Sequence, residues 1–183
     1  MQGGPLPELS MKQELRLHPD CMCDAVRRIS VQIERKARGL VLVYGVEGEI
    51  GALSLTPAGP SLRTDGLWQH TCFEAFLRSQ ASGYCEFNFS SSTAWAAYRF
   101  DGYRAGMRAL ELTVAPRIET QTAPVTYRLT AGLGDLPPGD WHLGLSAVIE
   151  ERSGRKSYWA LTHPPGKPDF HHADSFALAL AEG

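Results

Sequence analysis

Two segments decide the fold of this chain: LWQHTCFEAFL at residues 67–77 and YCEFNFS at residues 84–90. Side chains of a strand alternate between its two faces, so the segments predict a β-hairpin with one apolar face and one polar face. The apolar face, which indicates core, carries Phe73, Ala75, Leu77, Cys85, Phe87 and Phe89. The polar face, a candidate ligand surface, carries Trp68, His70, Glu74, Tyr84, Glu86 and Asn88.

The register of this hairpin follows from the same alternation. Both apolar rows share a face when residues 79–83 form the loop, whereas a slip by one residue would bury Glu74. Cys72 and Cys85 then lie on opposite faces, so a disulfide between them would require rearranged strands. The predicted facing pairs are Phe73 with Phe89, Ala75 with Phe87, Leu77 with Cys85, and Glu74 with Asn88.

The composition is that of an ordinary globular protein. Of the 183 residues, 43% are hydrophobic, which is enough for a sizeable core without disulfides or structural metal. The four cysteines are too few for a disulfide-rich scaffold, and the Cys21-Met22-Cys23 pair lacks the spacing of a zinc site, so we expect free thiols. The net charge of −2, with both signs interspersed, argues against nucleic acid or a membrane surface as a partner.

The N-terminal residues carry no recognisable targeting signal. They lack a charged region followed by an apolar run, and no stretch of the sequence approaches the roughly 18 consecutive apolar residues of a membrane span. We therefore expect a soluble, cytoplasmic protein. Residues 1–10 are rich in glycine and proline, which predicts a disordered leader before a single domain at residues 11–183.

Strand patterns continue on both sides of the hairpin, separated by Gly and Pro turns. Segments 94–100 and 105–110 allow at most short helical turns. Regularly spaced strands of this kind predict an all-β fold, an antiparallel β-sandwich of the immunoglobulin-like or jelly-roll type. The other predicted strands are 29–33 with 40–46, 112–120 with 125–133, 141–149 with 156–162, and a last one through Phe176, Leu178 and Leu180.

One cluster on the polar face suits a sugar ring. Trp68, His70, Glu74 and Asn88 put a flat aromatic, a neutral donor or acceptor, a carboxylate and an amide together. The C–H face of a sugar stacks on an aromatic ring while its hydroxyls need planar donors and acceptors. The alternative is that Trp68 caps the core and Glu74 is merely solvated.

Two further segments carry candidate binding groups. Arg99 and Arg104 lie among aromatic residues at 95–104, where their guanidinium groups suit a carboxylate, a phosphate or sugar hydroxyls. The alternative there is packing, with the arginines paired to acids. His171 and His172 lie in a proline-stiffened loop, but adjacent residues diverge in an extended chain, so a two-histidine metal site is not expected.

Catalytic motifs are missing from the sequence. There is no G-x-S-x-G, H-E-x-x-H, G-x-G-x-x-G or phosphate-binding P-loop. Glu74 and Glu86 project from one face and resemble the carboxylate pair of a glycosidase, although one such pair on a sheet is a weak signal. We therefore assign no catalytic residue and rank hydrolysis below binding.

The chain resembles the bacterial DOMON-like proteins, relatives of the family nine carbohydrate-binding modules. Together with the hairpin at residues 27–46, the resemblance covers nearly all of residues 11–180. The matching strings are LWQHTCFEAF at residues 67–76, YCEFNFS at 84–90, WAAYRFDGYR at 95–104, and PDFHH at 168–172 before DSF at 174–176.

This resemblance implies roles for particular residues. Trp68 and Glu74 resemble, in type and spacing, the sugar-stacking tryptophan and downstream glutamate of the carbohydrate-binding modules. Trp159 is the candidate for their second stacking tryptophan, although it lies in a predicted strand rather than a loop. Other DOMON domains bind haem through a methionine and a histidine, for which Met107 and His171 are the equivalents here, outside any recognisable haem motif.

The resemblance implies a β-sandwich with a ligand-binding role. We expect a non-catalytic module for a saccharide or a related small polar molecule, without metal or cofactor. Two alternatives stay open: a haem-binding or redox domain, and an accessory domain of an enzyme with Glu74 as acid or base. The candidate ligand-binding residues are Trp68, His70, Glu74, Asn88, Arg99, Arg104, Trp159 and His171.

Overall fold

The computed structural model describes residues 9–36 and 38–182, and its strands all pair antiparallel. The predicted all-β sandwich is confirmed. Short 3₁₀ helices lie at Ile50–Ala52, Leu67–Gln69 and Ala173–Ser175. The strands formed by the described residues are β1 (Leu9–Leu17), β2 (Val26–Lys36), β3 (Gly39–Gly48), β4 (Cys72–Arg78), β5 (Tyr84–Ser90), β6 (Trp95–Phe100), β7 (Arg108–Ala109), β8 (Arg117–Ala123), β9 (Thr126–Leu133), β10 (Trp141–Glu150), β11 (Lys156–Ala160) and β12 (Leu178–Leu180).

The strands form two facing sheets that share one strand. Sheet 1 has the order β1-β2-β3-β9-β8, and sheet 2 has the order β7-β6-β5-β4-β10-β11, with β12 paired to the start of β10. The first part of β1 pairs with β2, whereas Arg16 and Leu17 pair with β11. Strand β1 therefore joins the two sheets into one strongly curved sheet that folds over its own core.

The core lies between the two sheets and is rich in aromatic residues. Phe73 of sheet 2 packs against Tyr44 and Tyr127 of sheet 1, with ring centroids 5.2 and 5.9 Å apart. The Tyr44 hydroxyl donates a 2.8 Å hydrogen bond to the backbone carbonyl of Glu74, which satisfies the buried phenol. This contact fixes β4 against sheet 1.

The central hairpin has the predicted register. Phe73 faces Phe89 and Glu74 faces Asn88, and the other two predicted pairs are present as well. Gly83 ends the turn with a φ of 76°, and a Cβ there would lie 2.0 Å from the carbonyl oxygen of Phe100. This position therefore needs glycine.

The structure corrects several predicted boundaries. Residues 95–100 form strand β6 rather than helical turns, because their backbone pairs with β5 and tertiary pairing overrides local propensity. Phe176 precedes β12 instead of lying in it. Residues 9 and 10 belong to strand β1 and pair with β2, so these two residues do not form part of a disordered leader. Residues 1–8 lie outside the described residues.

The pair predicted at 112–120 and 125–133 is observed as β8 and β9, with β8 starting at Arg117. The four cysteines are all free, as expected. Among the described residues, no helix combines the length and the apolar character needed to cross a membrane.

The core assignment of Phe87 leads to a stability prediction. Phe87 is 1% exposed between the sheets, so Phe87→Ala should lower the free energy of unfolding by about 3–5 kcal/mol, the range for aromatic truncation in a core. Urea unfolding followed by circular dichroism measures this change. The control is Val125→Ala, because Val125 is 57% exposed and its truncation should cost at most about 0.5 kcal/mol. Equal costs for the two variants would contradict the assignment.

Candidate functional site

The outer face of sheet 2, which points away from sheet 1, is covered by two loops. The 101–107 loop connects β6 to β7, and the 161–177 loop connects β11 to β12. We call these two loops the roof. A small apolar cluster lies under them, formed by Phe76, Tyr84, Ala96, Tyr98, Phe100 and Phe176. Strands β4, β5 and β6 of sheet 2 are therefore buried on both faces, one face by sheet 1 and the other by the roof.

Contacts between the two loops, and between the second loop and the sheet, hold the roof in place. Arg104 of the first loop donates a 2.9 Å hydrogen bond from Nη2 to Oδ1 of Asp169 in the second, and the Tyr103 hydroxyl donates to the other oxygen of that carboxylate. Gly144 of β10 lets the second loop approach the sheet closely, because a Cβ at this position would lie 2.9 Å from the carbonyl oxygen of Ser175. The two loops of the roof are thus hydrogen-bonded to each other, and the second loop packs closely on the sheet.

A cavity of about 370 Å³ remains between the roof and the outer face of sheet 2. Its volume lies at the lower end of the range for small-molecule sites, about 300–1,000 Å³. Aromatic rings and charged side chains both contribute to its walls. The lining residues are Trp68, Glu74, Glu86, Phe100, Arg104, Met107, Val148, Tyr158, Pro168, Phe170 and His171.

Two buried carboxylates form the floor of this cavity. Glu74 faces Asn88, and Glu86 lies two residues before Asn88 on β5, so the glutamates are diagonal neighbours on one face of the sheet. Glu74 is 3% exposed and Glu86 is 5% exposed. Ser146 donates a 3.4 Å hydrogen bond to Glu74, and Asn88 Nδ2 donates a 2.9 Å hydrogen bond to Glu86. Neutral donors alone therefore hold the two acids.

The protonation of the floor is shifted from that of free glutamates. Burial, reinforced by the charge of Glu86, raises the pKa of Glu74 well above its usual value. Burial raises the pKa of Glu86 to about 7, against the opposing effects of the Asn88 hydrogen bond and the Arg104 charge. The floor therefore retains protons near neutral pH, and a protonated carboxyl can donate as well as accept a hydrogen bond.

His171 forms part of the wall beside Glu86. Its Nδ1 lies 2.7 Å from the Tyr84 hydroxyl, and its Nε2 lies 3.8 Å from Oε2 of Glu86. Burial, with the nearby charge of Arg104, lowers the pKa of His171 to about 4. The imidazole is accordingly neutral at neutral pH, and His171 supplies a neutral donor or acceptor.

Trp68 lies at the rim of the cavity. It belongs to the 3₁₀ helix Leu67–Gln69, which starts after Gly66 in the left-handed region with a φ of 77°. The indole is 40% exposed, and its edge contacts Tyr98 at a centroid distance of 5.9 Å. The Tyr98 hydroxyl donates a 2.7 Å hydrogen bond to Asp65, which fixes the ring that supports Trp68. An exposed indole with a fixed support is available for stacking.

The structure brings most of the predicted site residues together. Trp68, Glu74, Arg104 and His171 line the cavity. Asn88 is fully buried on the same face and bonds to Glu86. The predicted polar face of the hairpin is thus a covered floor rather than an open surface.

Three predicted site residues lie elsewhere. His70 is outside the cavity, because the chain leaves the strand path there, and its Nδ1 lies 2.8 Å from Glu150. Arg99 pairs with Cys85 and therefore lies on the opposite face of β6 from the cavity. Its guanidinium contacts the Cys85 sulfur and the Ser82 carbonyl. Trp159 is 5% exposed in the core between the sheets, and its indole donates to Ser157.

Sequence reasoning missed several lining residues. Tyr158 faces the cavity because it follows the alternation of β11 one residue before Trp159, pairing with Val148. That alternation was readable in the sequence. Phe100 and Phe170 also line the cavity, because the roof covers this part of the sheet, and the position of the roof has no local sequence signal. Phe170 packs against Tyr158 with ring centroids 6.1 Å apart.

The cavity does not fit haem. Met107 and His171 both line it, but both nitrogens of His171 already face protein oxygens, those of Tyr84 and Glu86. A floor of two carboxylates is also unlike the apolar slot that a porphyrin needs. No cluster of three or more His, Cys, Asp or Glu side chains that could hold a metal ion exists among the described residues.

Comparison with known proteins gives a likeness of fold. No protein-family model matches the chain, and no curated protein matches it at a significant level. A proposed carbohydrate-binding protein from Bacteroides uniformis has a TM-score of 0.65 and 12% identity, covering 90% of this chain and 83% of that chain.

Two further structures are of a family 9 carbohydrate-binding module from Caldicellulosiruptor kristjanssonii. The complex with cellotriose has a TM-score of 0.57 and 12% identity, covering 85% of this chain and 74% of that chain. The complex with glucose has a TM-score of 0.52 and 12% identity, covering 80% of this chain and 72% of that chain. The β-sandwich is therefore of the kind found in these modules.

The floor leads to a prediction for stability against pH. Because folding raises the pKa values of Glu74 and Glu86, the folded state holds their protons more tightly, and stability falls as pH rises from about 4.5 through 7. Glutamine mimics the protonated carboxyl. The double variant Glu74→Gln/Glu86→Gln should therefore gain stability over the parent chain between pH 4.5 and 8. The gain should be at least about 3 kcal/mol, which corresponds to the rise in the pKa of Glu86 alone from 4.5 to about 7.

The difference between the two chains is the quantity to measure, by urea unfolding at each pH. His171 has the opposite effect, since its lowered pKa makes stability rise with pH between about 4 and 6.5, but it is present in both chains. The control is Glu14→Gln/Glu119→Gln, which removes two exposed carboxylates. Parallel curves for the parent and the buried-acid variant would contradict the shifted pKa values.

Proposed function

We propose that this chain is a non-catalytic binding module whose ligand is a saccharide held in the cavity under the roof. The observation that carries the proposal is the presence of aromatic rings and polar floor groups in one cavity of about 370 Å³. A sugar has an apolar C–H face and a rim of hydroxyls, and this site offers partners for both. The volume suits one or a few sugar rings rather than a long chain.

Each lining group has a role in this proposal. The half-exposed Trp68 stacks on the ring of the ligand at the entrance. Glu74 and Glu86 hold hydroxyls from below, as acceptors when ionised and as donors when protonated. The neutral imidazole of His171 contacts a further hydroxyl, and Arg104 adds donors at the roof.

The comparisons support the proposal without assigning the ligand. Among the similar structures, one module is in complex with cellotriose and with glucose, and another protein is a proposed carbohydrate-binding protein. At 12% identity these likenesses concern the fold, so the saccharide ligand of this chain rests on its own cavity. The DOMON-like relationship and a cytoplasmic location are also proposals.

The raised pKa of Glu74 favours a second candidate, an accessory domain of an enzyme in which this carboxyl acts as general acid. A carboxyl that is protonated near neutral pH can donate a proton to a leaving group. Release of p-nitrophenol from a panel of p-nitrophenyl glycosides, lost in Glu74→Gln, would support this candidate. The same assay with no release from any glycoside would exclude it.

The binding proposal is tested by calorimetric titration with mono- and disaccharides. Trp68→Ala removes the stacking surface and should weaken binding at least tenfold, or by about 1.4 kcal/mol, while the melting temperature stays nearly constant because the indole is 40% exposed. The control is Leu62→Ala, which removes a 62% exposed apolar side chain outside the cavity. Absence of heat with every saccharide, or equal affinities for Trp68→Ala and the parent chain, would refute the proposal.

A further inference from the structure

The two floor carboxylates lack a cationic partner. Among the described residues, no lysine or arginine forms a salt bridge with Glu74 or Glu86. His171 lies 3.8 Å from Glu86, and the charge of Arg104 acts on Glu86 without forming an ion pair with it. Buried acids in proteins are normally paired with a cation or ligate a metal. Here two of them share one floor with only the neutral donors Ser146 and Asn88.

A third floor group also has an unused acceptor. Asn88 is completely buried, lies opposite Glu74, and donates its amide to Glu86. Its Oδ1 accepts no hydrogen bond from any described residue. Buried polar atoms without partners are rare and call for an explanation. Glu74, Glu86 and Asn88 therefore offer more hydrogen-bond acceptors than the surrounding described residues supply donors.

The charges around the cavity favour a cation as well. Of the described residues that line it, Arg104 is the one with a positive side chain, and its guanidinium is bonded to Asp169. His171 is neutral because its pKa is lowered to about 4. Aromatic rings attract cations through their π faces, and four rings line this cavity, those of Trp68, Phe100, Tyr158 and Phe170.

A primary ammonium group matches this floor. It supplies three hydrogen-bond donors and one positive charge, with no acceptor. Resting on the proposed function, we propose that the saccharide bound in this cavity is an amino sugar, whose ammonium group sits between Glu74 and Glu86. A neutral sugar leaves the floor dependent on its own protons for neutrality, whereas an ammonium compensates the charge of an ionised carboxylate.

Proton balance gives this proposal a distinct signature. The free floor retains protons near neutral pH because burial raises the pKa of both carboxyls. An incoming ammonium favours the ionised carboxylates, so a floor proton leaves to the buffer as the ligand binds. A neutral sugar can hydrogen-bond to the protonated floor and needs no such release. Titrations in two buffers with different heats of ionisation count the released protons.

The experiment compares sugars that differ only in one group. Glucose, galactose and mannose are each titrated beside their 2-amino counterparts at pH 7 and constant ionic strength, with cyclohexylamine as an ammonium that has no sugar hydroxyls. At least one amino sugar should bind tenfold or more tightly than its parent sugar and release protons. Glu86→Gln should bring this affinity ratio close to one. Glu119→Gln is the matched control, the same substitution at an exposed glutamate outside the cavity, and should leave the ratio unchanged.

The outcomes separate the two proposals. Parent sugars that bind as tightly as their amino counterparts would overturn the amino-sugar inference and leave the saccharide module standing. Binding of cyclohexylamine without binding of any sugar would overturn both, since the site would then recognise ammonium alone. Binding of none of the probes would also overturn both. A ratio above ten that persists in Glu86→Gln would overturn the placement of the ammonium on the floor.

Discussion

Strand β4 is buried on both of its faces, and the candidate site depends on this constraint. One face packs against sheet 1, with Phe73 between Tyr44 and Tyr127. The other face lies under the roof, so Glu74 has lost its contact with bulk water. A buried carboxylate is costly unless it is paired with a cation or protonated. The raised pKa of Glu74 favours the protonated form.

The roof turns this buried face into a cavity instead of a second core layer. The Arg104–Asp169 pair ties the two loops to each other, and His171 ties the longer loop to Tyr84. These polar contacts lie at the edge and hold the loops in position. The loops therefore cover the sheet while leaving space above the two glutamates, which apolar packing would have filled.

The alternation of side chains predicted the hairpin and its register because one face of it had to be buried. It also placed Glu74, Asn88 and Glu86 on one face. Arg99 and Trp159 were selected for their residue type and not for the strand face on which they lie. Each is one residue away from a position that faces the cavity, so the alternation of side chains places it on the other face. The roof was out of reach for a different reason: its position depends on long-range contacts such as Arg104–Asp169, which the local sequence does not encode.

The polar floor stabilises the sandwich less than apolar side chains in the same positions would. Glu74, Glu86 and Asn88 occupy positions where apolar side chains would extend the cluster around Phe76 and Phe100, and a buried acid without a cation gives the fold less than an apolar residue of similar volume would. Local rules that a structure breaks without a gain in stability mark functional positions. These three side chains lie together under the cavity that the roof leaves above them, and the proposed binding function gives a physical reason for their presence there.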